Sequence, residues 1–255
     1  MSHAVETMVR DLHRRRARER RGLSLAEGVR LVEEVLAADR PVRAALAAPG
    51  LEATERGRRL RQDLNRLGDR LHPVEDDALA RLATTDQSQG VLVVFEPPAW
   101  SLTELPMGPG DVILVLDAVQ DPGNVGTLLR TAFALGASGV AALPGTAELV
   151  SPKVLRASMG ASFRLPVAPV SARDLLDALA GAAGTLWVTD ARAEPPPRPG
   201  RGPLAIAVGN EGAGISEALA AAASRHVGIP LRAGAESINV AVAAGILLHE
   251  VLRAR

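Results

Sequence analysis

The chain has 255 residues, 47% of them apolar, and its 29 basic and 29 acidic side chains cancel at pH 7. Such a length suits one large domain or two modest ones with a full core, and zero net charge means that the molecule as a whole does not demand a polyanionic partner. Cysteine is absent, which excludes disulfides, thiolate nucleophiles and thiolate metal sites.

His3, His13, His72, His226 and His249 show no ligand spacing, so no metal is expected. No stretch approaches the roughly 20 apolar residues that span a bilayer. The charged N-terminus does not resemble a secretory signal, so a cytoplasmic protein without a membrane partner is expected. Tyrosine is absent, and Phe95, Phe133, Phe163, Trp100 and Trp187 are the only aromatics, which argues against a base-stacking platform for single strands. Any contact with nucleic acid would rest on arginine and on the backbone. Arg10, Arg14, Arg15, Arg16, Arg18, Arg20 and Arg21 face only Asp11 and Glu19 in the same stretch, and Arg56, Arg58, Arg59, Arg61, Arg66 and Arg70 form a second cluster. Lys153 is the sole lysine. A guanidinium fork suits phosphate, while GC-biased coding produces the same skew.

In chain order, Leu25, Val29, Val32 and Leu36 recur at helical spacing and predict a helix from 23 to 38, ended by Pro41. A strand is expected over 42–48, a charged helix over 52–70, a short strand at 72–74, a helix over 75–83 and a strand over 90–96. Pro97, Pro98, Pro106 and Pro109 then stiffen a connection, which places a domain boundary there and divides the chain into 1–105 and 106–255. The second part alternates. A strand at 112–116 meets the loop Asp121-Pro122-Gly123-Asn124-Val125-Gly126, and a helix follows from 127 to 135. A helix N-terminus after such a loop suits a phosphate. Arg130 stands among Leu128, Leu129, Ala132 and Phe133, so it has either a buried partner or a surface ion pair. Strands at 139–143, 164–167 and 186–189 and helices at 151–159 and 172–182 continue the βα rhythm of a mostly parallel sheet.

The last fifty residues organise the rest. Leu204 to Val208 reads as a strand buried on both faces, and it stops at Gly209-Asn210-Glu211-Gly212-Ala213-Gly214. Glycine there permits positive φ and leaves room for a ligand. Ser216 is placed to cap a helix over 217–223. The apolar run at 227–231 leads to Glu236-Ser237-Ile238-Asn239, with Ser237 expected to cap a helix from 240 to 253. Ala241, Ala243, Ala244 and Gly245 on that helix allow close backbone approach. Loops at the ends of buried strands are where open α/β sheets bind ligands. Glu211 inside the glycine turn either bonds backbone amides or serves a site. The glycine order differs from the dinucleotide fingerprint, which counts against a nicotinamide-dependent oxidoreductase.

Three blocks stand in order: Asp121-Pro122-Gly123-Asn124-Val125-Gly126 with Arg130; Gly209-Asn210-Glu211-Gly212-Ala213-Gly214; and Ile229-Pro230-Leu231 with Ser237-Ile238-Asn239-Val240. Together they resemble the SpoU/TrmH family of RNA 2′-O-ribose methyltransferases within the SPOUT superfamily. Arg20-Arg21-Gly22-Leu23-Ser24-Leu25-Ala26-Glu27-Gly28 and Gln89-Gly90-Val91 resemble, more faintly, the substrate-binding domain similar to ribosomal protein L30e that precedes many such enzymes. The resemblance implies an α/β fold, a parallel sheet ending in a trefoil knot behind a small L30e-like α/β domain. It implies S-adenosylmethionine held near Gly209, Ile229, Leu231, Ile238 and Asn239, and a homodimer whose sites border the partner subunit. Asn124, Arg130, Glu211, Ser237 and Asn239 are the implied catalytic set. Methyl transfer from a sulfonium needs a positioned hydroxyl, a route for its proton and exclusion of water, with no metal. Guanidinium groups in proteins stay charged, so Arg130 is expected to grip phosphate and stabilise the developing alkoxide rather than act as base. Ile238 stands where the family usually has leucine. The expected substrate is structured RNA, 23S ribosomal RNA ahead of transfer RNA because the extra front domain goes with ribosomal enzymes; a non-catalytic RNA-binding scaffold of the same fold is the alternative of another class.

Overall fold

In a computed structural model the protein is described over residues 2–85 and 88–254. The elements in chain order are α1 (His3–Leu12), α2 (Arg15–Arg21), β1 (Ser24–Glu27), α3 (Val29–Ala37), β2 (Val42–Ala47), α4 (Glu55–Leu64), β3 (Leu71–Pro73), α5 (Asp76–Ala80), β4 (Val91–Phe95), β5 (Val112–Asp117), α6 (Pro122–Leu135) and β6 (Gly139–Ala142). There follow α7 (Pro152–Ser158), α8 (Ala161–Arg164), β7 (Val167–Pro169), α9 (Ala172–Gly181), β8 (Thr185–Thr189), β9 (Leu204–Gly209), α10 (Glu217–Ala222), β10 (Arg225–Val227) and α11 (Val240–Arg253). Two compact units are formed, Met1–Pro98 with Val150–Phe163, and Ala99–Leu149 with Arg164–Arg255. They do not follow a single cut in the chain.

The first unit is built on a four-stranded sheet in the order β1-β4-β2-β3. β4 is buried throughout and pairs antiparallel with β1 and β2. The expected helix over 23–38 is in fact a strand and a helix. Gly28, at φ 90 and ψ 151, breaks the run; Leu25 and Ala26 belong to different core clusters on alternate faces, and only α3 carries the 3.6-residue stripe. The charged helix also proves shorter than expected, α4 giving way to a 3-10 segment at Asn65–Arg70. Val150–Phe163 belongs to this unit through specific bonds. Ser24 Oγ donates to the Val150 carbonyl at 2.6 Å, Arg156 Nη1 donates to Thr84 Oγ1 at 2.9 Å, and the Phe163 ring meets Phe95 edge-on at 5.6 Å. Buried Glu27 is satisfied by the backbone and hydroxyl groups of Thr84 and Thr85.

The second unit is a six-stranded, wholly parallel sheet in the order β10-β8-β9-β5-β6-β7. β5 and β9 are buried along their whole length, as strands covered on both faces must be. β9 inserts between β8 and β5, and its register pairs Gly209 with Asp117. The loops leaving β5, β8, β9 and β10 therefore emerge at one edge of the sheet, where the strand order reverses. The strand expected at 164–167 lies instead at Val167–Pro169. No described helix is long and apolar enough to cross a membrane.

Candidate active site

The glycine turn after β9 is held from inside. Asn210 and Gly214 exchange backbone hydrogen bonds at 3.0 and 2.9 Å. The Asn210 carboxamide accepts from the amides of Gly212 and Ala213 at 2.9 Å each and donates to the Ala118 carbonyl at 2.9 Å, tying the turn to the end of β5. Buried Asp117 accepts from the Ser216 amide at 2.6 Å. Ser216 occupies the cap position of α10 but makes no side-chain capping bond. A Cβ at Gly209 would lie 2.3 Å from the Gly214 carbonyl carbon; no side chain fits where the turn folds back on its own strand.

α6 starts at Pro122, five residues before the expected helix, with Asp121 as its cap. Asn124 thus falls in the first turn, beside Glu211. Asn239 is the N-cap of α11 and accepts from the Ala241 and Val242 amides; Ser237, expected there, does not cap. This cap sets the direction of a polar chain. With its oxygen engaged by helix amides, Asn239 must present Nδ2, which donates to Asn124 Oδ1 at 3.0 Å. Asn124 Nδ2 in turn donates to Glu211 Oε1 at 3.0 Å, so the orientation of each amide follows from the helix end. Glu211 also accepts from the amides of Gln120 and Asp121. Partial burial works to raise its pKa, but hydrogen bonds from Asn124, its own amide and those of Gln120 and Asp121 outweigh that and hold it below the usual carboxylate value. A carboxylate so stabilised is a weak proton acceptor and a strong hydrogen-bond anchor.

A cavity of about 550 Å³ opens beside this chain. Gly209 and Glu211 line it on the turn side, Ile229, Leu231, Ser237, Ile238 and Asn239 on the loop side. Asn124 reaches it through its two hydrogen-bond partners. Arg130 does not line it; it is exposed on α6, six residues and about 9 Å of helix rise beyond Asn124. No side-chain partner is seen for it among the described residues, neither the buried group nor the surface ion pair that the sequence allowed. Sequence reasoning missed Thr189, Asp190 and Ala191, which line the cavity from the end of β8, and the bracing role of Asn210 and Asp117. Strand order would have revealed the first three, since β8 is the neighbour of β9.

A parallel sheet with a ligand-sized cavity at its switch point, walled by a glycine turn and a capped helix, defines a small-molecule-binding α/β domain. Residues 111–249 match the model of the SpoU rRNA Methylase family, and residues 7–93 match the MRM3-like substrate binding domain. The chain is 33% identical to the 23S rRNA (guanosine(2553)-2′-O)-methyltransferase RlmP of Bacillus subtilis over 94% of its own length and 92% of that protein's. It is 31% identical to the 23S rRNA (uridine(2479)-2′-O)-methyltransferase of Streptomyces viridochromogenes, covering 96% and 87%. The crystal structure of the SpoU methyltransferase AviRb from that organism, in complex with the cofactor AdoMet, superposes with a TM-score of 0.85 at 29% identity, covering 99% and 98%. The chain belongs to the SpoU rRNA methylase family.

Proposed function

We propose that this protein transfers a methyl group from S-adenosylmethionine to a ribose 2′-hydroxyl of structured RNA, with 23S ribosomal RNA as the substrate. The carrying observation is the cavity walled by the 209–214 turn and the 229–239 loop, with the Glu211–Asn124–Asn239 chain at its edge. The residues fit the donor. About 550 Å³ suits a nucleoside-sized molecule; Ile229, Leu231 and Ile238 supply apolar contact for a base, and the bare backbone at Gly209 allows close approach. The relatives' 23S substrates, matched over nearly the whole chain, support ribosomal over transfer RNA.

S-adenosylmethionine supplies an electrophilic methyl on a sulfonium, so no nucleophilic intermediate is required of the protein. The chain's own residues bind and orient. Glu211 fixes Asn124, Asn239 fixes its other end, and Ser237 presents a hydroxyl at the cavity wall. The 2′-oxygen takes the methyl, the sulfonium becomes a thioether, and the hydroxyl proton leaves to phosphate or water, because Glu211 is held ionised as a weak base.

Arg130 grips the flanking phosphate and stabilises the developing alkoxide, and it does so across a homodimer. Phe133, Val242 and Ile246 are 40%, 53% and 40% exposed on α6 and α11, a large apolar exposure for a lone chain. Arg130 shares a helix face with Phe133, three residues on, so a second copy seated there brings Arg130 to a cavity it does not line in its own subunit. A cytoplasmic location goes with such a substrate.

The test is transfer of labelled methyl to a 23S transcript, with the product mapped as an alkali-resistant linkage. Label on a single ribose is expected; a protein that binds the methyl donor yet labels neither ribosomal nor transfer RNA would instead be a scaffold. Mixing Arg130→Ala chains with Gly209→Ala chains should restore part of the activity if the arginine acts across the dimer.

A further inference from the structure

The two arginine clusters of the first unit look alike in sequence and are unlike in structure. Every arginine of the second cluster already has a partner. Arg56 forms a forked pair with Glu33, Arg58 and Arg59 share Glu55, Arg61 reaches Asn65 and Glu52, Arg66 pairs with Asp63, and Arg70 donates to the carbonyls of Val42 and Leu67. An arginine taken from its carboxylate to hold phosphate would leave that carboxylate facing the nucleic acid, so α4 is poor ground for RNA.

The first cluster sorts differently. Arg10 pairs with Glu6, Arg15 with Glu19 and Arg21 with Asp11, which uses up the acids of the stretch. Arg18 is buried and donates to the Leu12 carbonyl at 2.7 Å. Arg14, Arg16 and Arg20 remain, all exposed and without a side-chain partner among the described residues. Arg16 and Arg20 stand four apart on α2, a like-charge spacing that weakens a helix unless an anion answers it. The support beneath them is firm. Ala17 and Arg18 anchor the inner face of α2, His13 Nε2 hydrogen-bonds the Leu82 carbonyl, and Gly22 closes the helix in the left-handed conformation at φ 63.

We propose that Arg14, Arg16 and Arg20 are the phosphate-gripping edge of the first unit, and that the already partnered arginines of the second cluster, on α4 and the 3-10 segment after it, take no direct part in RNA binding. The assignment rests on the RNA methyltransferase reading above. Arg16 and Arg20 on the braced helix, with Arg14 at its N-cap, offer unpaired forked donors carried on backbone that is fixed before the ligand arrives.

The experiment measures binding of the full-length protein to an in vitro transcript of bacterial 23S rRNA across a salt series. Arg14→Gln/Arg16→Gln/Arg20→Gln should lower affinity at least tenfold at physiological salt and reduce the slope of log K against log salt by about 2 to 3, at roughly 0.7–0.9 per lost phosphate contact. Arg58→Gln/Arg59→Gln/Arg66→Gln should leave the slope unchanged. The Arg14→Lys/Arg16→Lys/Arg20→Lys variant, which keeps the charge, should retain most of the slope, separating lost contacts from lost folding. Equal losses from both glutamine triples, or none from the first, overturn the assignment. A wild-type protein that does not bind the transcript overturns the parent reading instead.

Discussion

The two walls of the cavity are built in opposite ways. The 209–214 turn is cross-braced by a backbone bridge, by the three hydrogen bonds of Asn210 and by the bond from Ser216 to Asp117. Between Ile229 and Ile238, only the bond from the Ala235 amide to the Arg232 carbonyl is present among the described residues. Gly228 and Asn239 pin the ends of this second wall: Gly228 donates to the Glu194 carbonyl, and a Cβ there would lie 2.3 Å from the Ala193 carbonyl oxygen. One wall is thus preorganised by the fold, and the other is held at its ends and exposed between them. A ligand touching both gains orientation from the first and must order the second, so turn substitutions should affect stability and binding together while loop substitutions affect binding alone.

The largest effect lies outside both walls. Arg130→Ala should lower kcat by about 10²–10³, the loss typical of removing a charge-stabilising donor, while calorimetric affinity for S-adenosylmethionine stays unchanged; a matching loss of affinity would place Arg130 in the cofactor site instead. Gly209→Ala comes next. Its Cβ collides with backbone, and an overpacking cost of about 1–3 kcal/mol should appear in urea unfolding together with loss of cofactor binding. Asn210→Ala removes the brace and leaves two amides unanswered, for about 1–2 kcal/mol of stability and a weakened cofactor. The loop counterpart, Ile238→Ala, should weaken cofactor binding about tenfold, as expected for partial loss of an apolar contact, with the unfolding midpoint unmoved; a shift in that midpoint would break the contrast. The smallest effect is in pH. Because the Glu211 carboxyl is depressed in the folded state, it contributes stability above the ordinary carboxyl range that disappears as pH falls through the folded value. Glu211→Gln should therefore flatten the acid limb of the stability curve and lower its neutral plateau, where the wild-type contribution is fully present.

Much of this was readable in the residues. The apolar runs of β4, β5 and β9 are continuous because both faces are covered, and continuous runs are the least ambiguous strand signal. The glycine turn could be read for its freedom, and Glu211 for its oddness within it. What misled was local. A helical stripe through 23–38 included a strand, because Leu25 fell into phase with α3 while Gly28, at positive φ, divided them. Ser237 looked like a cap, yet Asn239 caps α11 because it directly precedes Val240, which puts its side-chain oxygen on the second and third amides of the helix, while Ser237 stands two residues too early. Thr189 and Asp190 carried no motif at all; they belong to the cavity only because β8 lies beside β9.

By itself the sequence determined which stretches are buried, where backbone must be bare, and which polar residues stand at strand ends, since these follow from hydrophobicity, glycine and spacing along the chain. Tertiary structure decided which of those residues meet. It placed Asn124 between Glu211 and Asn239, more than eighty residues from either, turned each amide by a helix cap, and sorted two arginine clusters of similar composition into one that is paired and one that is partly free. Contacts between distant residues depend on strand order and register, and no local pattern encodes either.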